Sequence, residues 1–183
     1  MPNYLRTDSR INIVKKLIKP IKIEFDKIII HNKKEEYIYW DSVYSDDAEH
    51  LVGIVFIILQ NYINTSISDL YPDLRKINLK YKIDEEINNS KTTRIELIIA
   101  IANYYKHRDL PEKLYEHTAK HLENLEIEYK NNYDLENGKY SHKLGAESPI
   151  YSGLTYLSDS WNLNDLIDIV TDWREQLWLT EEK

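Results

Sequence analysis

The chain contains no cysteine, which removes disulfides, thiolate metal sites and thiol nucleophiles together. Glycine and proline are scarce, four and five in 183 residues, too few for the many tight turns of a β-sandwich or barrel. No glycine-rich loop is present to cradle a phosphate, and no G-x-S-x-G elbow presents a serine for attack. The opening stretch, Met1 to Asp8, lacks the apolar segment of a secretory signal. The longest apolar run, Leu51 to Leu59, falls short of the roughly 20 residues that cross a bilayer. The expectation is a soluble, cytoplasmic protein with no membrane contact.

Positive charge is also in short supply: 24 Lys and Arg face 31 Asp and Glu, a net charge of −7. The imbalance is local. Residues 1–35 hold nine basic against four acidic side chains, whereas 36–75 hold one against seven and 145–183 two against eight. Phosphate backbones require Lys and Arg, so direct nucleic-acid binding is not expected of the acidic blocks. They suit a basic protein partner.

What the chain does have is helical periodicity. Thr93 followed by Glu96 has the spacing of a capping box, and Ile95, Ile98, Ile99 and Ala102 then recur at intervals of three and four. Leu97, Ala100 and Ile101 make the flanks apolar too, which predicts a central helix over 93–108. A second central helix is expected over 47–64, begun by Asp46 and Glu49, with Gly53 marking a close helix crossing. Asp8 or Ser9 is expected to cap a short helix from Ile11 to Ile18 that Pro20 ends. Residues 21–30 fit strand and helix alike, with helix favoured because a lone strand has no partner. Pro72 should break the chain before a short helix and loop over 73–89. Pro111 should restart it as a helix over 111–130 folded back antiparallel on the one before. Residues 131–145 read as a loop, Ser148-Pro149 as a cap and first turn, and 164–179 as a final helix capped by Asn162 or Asn164. The sum is one all-α domain over residues 1–183, a bundle of six or seven helices.

Several groups of side chains could carry function. On the final helix Asp165, Asp168, Asp172 and Glu175 fall at intervals of three, four and three, forming an acidic stripe opposite Trp173 and Leu177. Asp46, Asp47 and Glu49 make a second acidic patch. Either can be a solvated face or a surface that meets a basic cleft. His117 and His121 are spaced to share a metal ion on a helix, but no third ligand is identifiable and Lys120 would repel a cation, so no metal or cofactor is expected. The tyrosines and Trp40, Trp161, Trp173 and Trp178 read as core or half-buried anchors, and a Trp-rich C-terminus leaves room for weak self-association.

Asn103-Tyr104-Tyr105-Lys106-His107-Arg108 ends the central helix in polar and basic groups. This N-x-x-K-H ending on a long apolar helix resembles small helical HEPN domains, some of which are ribonucleases. The resemblance covers this helix and its neighbour. It implies an RNA-binding or RNA-cleaving role for Asn103, Lys106, His107 and Arg108, although the HEPN pattern of Arg followed after four to six residues by His is absent. The bland alternative is that Lys106, His107 and Arg108 complement the negative end of their helix dipole.

In its small size, acidity, lack of cysteine, richness in Ile, Lys, Asn and Tyr, and lack of a catalytic motif, the whole chain resembles the immunity proteins of bacterial contact-dependent growth inhibition and polymorphic toxin systems. That resemblance implies a non-catalytic protein that neutralises one cognate toxin, a basic nuclease domain, through acidic residues. Asp165, Asp168, Asp172 and Glu175 would lead, followed by Asp46, Asp47 and Glu49. The protein would act as a monomer or weak homo-oligomer.

Overall fold

The computed structural model describes residues 7–34, 42–71, 77–108, 114–130, 133–134, 139–140 and 148–181. Among these residues seven helices occur: α1 (Ile11–Lys34), α2 (Ser42–Leu70), α3 (Ile77–Tyr81), α4 (Arg94–His107), α5 (Glu116–Asn124), α6 (Pro149–Leu157) and α7 (Leu163–Glu181). A two-residue antiparallel ladder, β1 (Tyr133–Asp134) against β2 (Lys139–Tyr140), interrupts the stretch expected to be loop. The expected all-α bundle is the fold. Trp40 and Pro111, and most of the aromatic cluster around residues 37–44, lie outside the described residues.

Helix α4 is its centre, and its N-terminus shows why. Thr93 Oγ1 accepts the Glu96 amide at 3.1 Å, and Glu96 Oε2 accepts the Thr93 amide at 3.0 Å, completing the capping box. The fully buried Asp84 carboxylate adds to this, accepting from the Ile95 amide at 3.2 Å and from Arg94 Nη2 at 2.6 Å. Four otherwise orphaned donors are thereby largely accounted for. Downstream, Ile95, Leu97, Ile98, Ala100, Ile101, Ala102 and Tyr104 are all buried, so the helix is enclosed on nearly every side.

Helix α2 crosses α4 at Gly53, where a Cβ would fall inside the van der Waals envelope of the Tyr105 ring. Gly153 on α6 has the same role, since a Cβ there would stand 2.6 Å from Ile101 Cγ1. The run Asp46–Leu70 is long and apolar enough by composition to span a bilayer, yet Val52, Val55, Phe56, Leu59, Ile63 and Ile67 on it are sunk in the core. The helix begins at Ser42, so Asp46 and Glu49 lie within it and do not start it.

Pro20 does not end the first helix. α1 continues through it to Lys34. Val14, Ile18, Ile21, Phe25 and Ile28 repeat at intervals of four and three along one face packed on the core. That continuous apolar seam outweighs the one hydrogen bond Pro20 cannot donate. Asp8 caps the helix, its Oδ1 accepting the Ile11 amide at 3.1 Å.

The helix expected over 111–130 is shorter, ending at Asn124. Its end is a Schellman motif: the Ile127 amide donates to the Leu122 carbonyl at 2.9 Å and the Glu126 amide to Glu123 at 3.0 Å. Glu126 takes the left-handed conformation this requires, with φ at 55°. Leu122, Leu125 and Ile127 are buried, so the turn closes over an apolar contact. α5 runs antiparallel to α4, as expected: His121 faces Glu96, and Thr118 faces Asn103 further along.

Ser148 caps α6 by accepting the Tyr151 amide, with Pro149 in the first turn. Asn162 caps α7, its Oδ1 accepting the Asn164 amide at 3.2 Å. Leu166, Val170, Trp173 and Leu177 are fully buried, and Trp173 Nε1 donates to the Lys80 carbonyl at 3.1 Å, tying α7 to α3. One contiguous apolar cluster runs through the bundle.

Candidate functional site: a polar cleft between α2, α4 and α5

Gln60 and Asn64 are four apart on α2, His117 and His121 four apart on α5, and Glu96, Asn103 and Lys106 are spaced by seven and three on α4. Each set therefore makes one stripe on its helix. The three stripes meet around a cleft of about 340 Å³, closed on a fourth side by the α3 segment with Tyr81 and Lys82.

A hydrogen-bond chain organises its walls. Lys106 Nζ donates to Gln60 Oε1 at 2.8 Å, Gln60 Nε2 donates to Asn103 Oδ1 at 2.9 Å, and Asn103 Nδ2 donates to Thr118 Oγ1 at 3.4 Å. Tyr81 donates its hydroxyl to Asn64 Oδ1 at 2.7 Å, and burial pushes that phenol up to about 12. His121 stands 4.0 Å from Glu96 Oε1 through Nε2 and 3.2 Å from Thr92 Oγ1 through Nδ1. Its ring stacks on His117 with centroids 5.9 Å apart. Burial holds the His121 imidazole below its ordinary value, and the nearby Glu96 carboxylate only partly opposes this. Burial likewise lowers the Lys106 ammonium. Among the described residues no group of three His, Asp or Glu side chains could hold a metal ion.

The four residues of the HEPN resemblance do not converge. Asn103 and Lys106 line the cleft. His107 packs edge-on against Tyr115 at 6.2 Å. Arg108 belongs to a separate cluster with α2, donating from Nη1 to Glu49 Oε1 at 3.1 Å and from Nη2 to His50 Nε2 at 3.0 Å. A guanidinium only donates, so the His50 ring accepts from Arg108, and His50 Nδ1 shares a further hydrogen bond with the Tyr105 hydroxyl at 2.8 Å. The Arg108 guanidinium also lies over the Tyr105 ring, 5.1 Å from its centroid.

The acidic residues divide in the same way. Glu49, expected on a surface patch, is fully buried. Being inside α2 rather than at its start, it faces Arg108, and burial raises its carboxyl to about 7 despite that cation. It is therefore not available to a partner's surface. Asp46 and Asp47 are exposed. Asp165 is half-buried and occupied locally, accepting from the Ser158 hydroxyl at 2.6 Å and from Asn162 Nδ2 at 3.1 Å across the α6–α7 turn. Asp168, Asp172 and Glu175 are exposed along α7. Asp168 shares an open groove with Lys15, Lys19 and Lys22 of α1, and the Arg94 guanidinium, held above its ordinary value chiefly by its hydrogen bond to Asp84, also feels the Asp172 charge as a minor contribution.

Gln60, Asn64, Tyr81 and the pairing of Glu96 with His121 were not singled out from sequence. The available signal was Gln60, a buried amide on an otherwise apolar helix, since such a group demands polar partners. In comparison with known proteins, the chain matches no family model, no curated protein and no solved structure.

Proposed function

We propose that the protein is a non-catalytic immunity protein that binds and neutralises a cognate toxin, a basic nuclease domain, through its acidic surface. In this reading it acts in the cytoplasm as a monomer or weak homo-oligomer, without a cofactor. One observation carries the proposal: Asp46, Asp47, Asp168 and Asp172 are exposed, and among the described residues none has a cation within 4.0 Å. Carboxylates held at a surface without a close ion pair cost little to leave in water. They attract a basic surface over roughly 8 Å at physiological ionic strength. With Asp165 and Glu49 committed inside the molecule, Asp168 and Asp172 lead the proposed interface, with Glu175 beside them and Asp46 and Asp47 as the second contact.

The test is charge reversal. A D168K/D172K double variant keeps the buried face of α7 intact and should fold as the parent does. Its association with the basic nuclease domain that the parent binds should slow by about tenfold or more at low salt, with a smaller change in dissociation. Stopped-flow mixing reads both rates. Unchanged association, with unchanged salt dependence, would remove α7 from the interface.

A further inference from the structure

Helix α1 carries a second stripe that the bundle does not use. Its inner face, with Val14, Ile18 and Phe25, is buried against the core. On the outer side Ile13, Lys16, Pro20, Ile23, Lys27 and Ile30 follow one another at alternating intervals of three and four, and all six are exposed. A surface helix ordinarily keeps that side polar. Here, of the nine large apolar side chains exposed among the described residues, four stand on α1: Ile13, Leu17, Ile23 and Ile30, between 47% and 59% exposed. Single exposed apolar side chains are normal, but a run of them along one helix marks a surface that meets something.

Charge sets α1 apart as well. It holds seven lysines against two carboxylates, in a chain of net charge −7. Both carboxylates are taken by neighbours on the same helix, Asp26 by Lys22 and Glu24 by Lys27. Lys15, Lys16 and Lys19 are exposed, and among the described residues no carboxylate lies within 4.0 Å of their ammonium groups. Asp168 borders the same groove as Lys15 and Lys19 without closing to an ion pair.

We propose that α1 docks the protein on an anionic membrane surface. The helix lies in the plane of the interface, with Ile13, Ile23 and Ile30 entering the headgroup region and Lys15, Lys16 and Lys19 meeting lipid phosphates. Other occupants satisfy half of the stripe. A nucleic-acid backbone would pair with the lysines and leave the isoleucines in water. A second copy packed α1 against α1 would cover the isoleucines but set lysine against lysine. A basic protein would be repelled. An anionic bilayer takes both kinds of side chain, because lysine stems lie along the apolar layer while their ammonium groups stay at phosphate level. The acidic remainder of the molecule is repelled by the same surface, which turns α1 toward the lipid. The expectation of no membrane contact rested on the shortness of the longest apolar run, and a helix lying in the interface needs no spanning segment. This docking does not depend on toxin neutralisation.

The full chain is floated with vesicles of phosphatidylcholine, and with vesicles of phosphatidylcholine mixed with phosphatidylglycerol, at low and at high salt. It should rise with the anionic vesicles, stay behind with the neutral ones, and dissociate as salt is raised. Ile23→Asn combined with Ile30→Asn, both at exposed positions, should weaken vesicle binding by about tenfold or more with unchanged circular dichroism. Lys16→Gln combined with Lys19→Gln should weaken it by about tenfold or more and flatten its salt dependence. No flotation with anionic vesicles would overturn the proposal. Equal flotation with neutral vesicles would overturn the part given to the lysines, and an isoleucine variant that binds as the parent does would overturn the insertion. Binding of an oligonucleotide, or a concentration-dependent mass abolished by the isoleucine pair, in place of vesicle binding would give the face to another occupant and overturn the membrane assignment.

Discussion

Glu49 shows how far position within an element decides the chemistry of a single residue. In sequence it is the third of three acidic residues that look alike. In the structure Asp46 and Asp47 face water while Glu49 faces Arg108 in the interior. Burial dominates its ionisation, Arg108 opposes, and Asp46 adds to the rise, leaving the carboxyl at about 7 against an ordinary 4.5. Because the folded value lies above the unfolded one, the native state binds more protons between those two values. Glu49 therefore contributes most stability below about pH 4.5, and that contribution is lost as pH rises through about 7. Glu49→Gln cannot titrate. The unfolding free energy of the parent relative to this variant should fall as pH is raised from 4.5 to 7 and flatten above 8. Urea titrations at matched pH values read the difference, from which the other carboxylates cancel. A difference that rises with pH would mean that Arg108 outweighs desolvation.

The elements were legible where local chemistry is strong. Thr93 with Glu96, Ser148 with Pro149, and Gly53 at a crossing all have the roles their sequence context implies. The misread elements share a cause, in that tertiary packing overrode a local signal. Pro20 sits in an unbroken helix because the apolar seam from Val14 to Ile28 holds α1 on the bundle through it. At the other extreme α5 stops after Asn124 although nothing in Leu125-Glu126-Ile127 marks a stop. Burying Ile127 beside Leu122 requires the chain to turn there, with Glu126 bearing the left-handed conformation. That conformation costs a non-glycine residue about 1–2 kcal/mol, offset in a glycine variant by the roughly 0.5–1 kcal/mol of extra unfolded-chain entropy. Glu126→Gly should thus stabilise the protein by about 0.5 kcal/mol, seen as a higher urea midpoint at unchanged slope. Destabilisation would mean that the Glu126 side chain contributes more than its backbone costs. The cleft was not legible for a related reason. Its lining comes from α2, α3, α4 and α5, and although Asn103 with Lys106 on α4 and His117 with His121 on α5 each formed a recognised pattern, nothing in either pattern showed that the two face one another across a cleft shared with Gln60 and Asn64.

At the scale of the whole molecule, the bundle separates its charge from its core with few buried exceptions. Arg108 with Glu49 and Arg94 with Asp84 are held inside or at the edge of the packing, whereas the carboxylates of the proposed interface stay outside. The basic N-terminal block is partly spent within the molecule. Lys22 pairs with Asp26, Lys27 with Glu24 and Arg10 with Asp69. The net charge of the chain is −7. Such a surface is matched to a basic partner and to association rates that depend on salt. The most direct measurement is a calorimetric titration of the protein against a panel of basic nuclease toxin domains, the proposed class of partner, at low and at high salt. The account predicts a one-to-one complex of nanomolar affinity that weakens as salt is raised. No binding at micromolar concentrations of both proteins, or binding indifferent to salt, would contradict it.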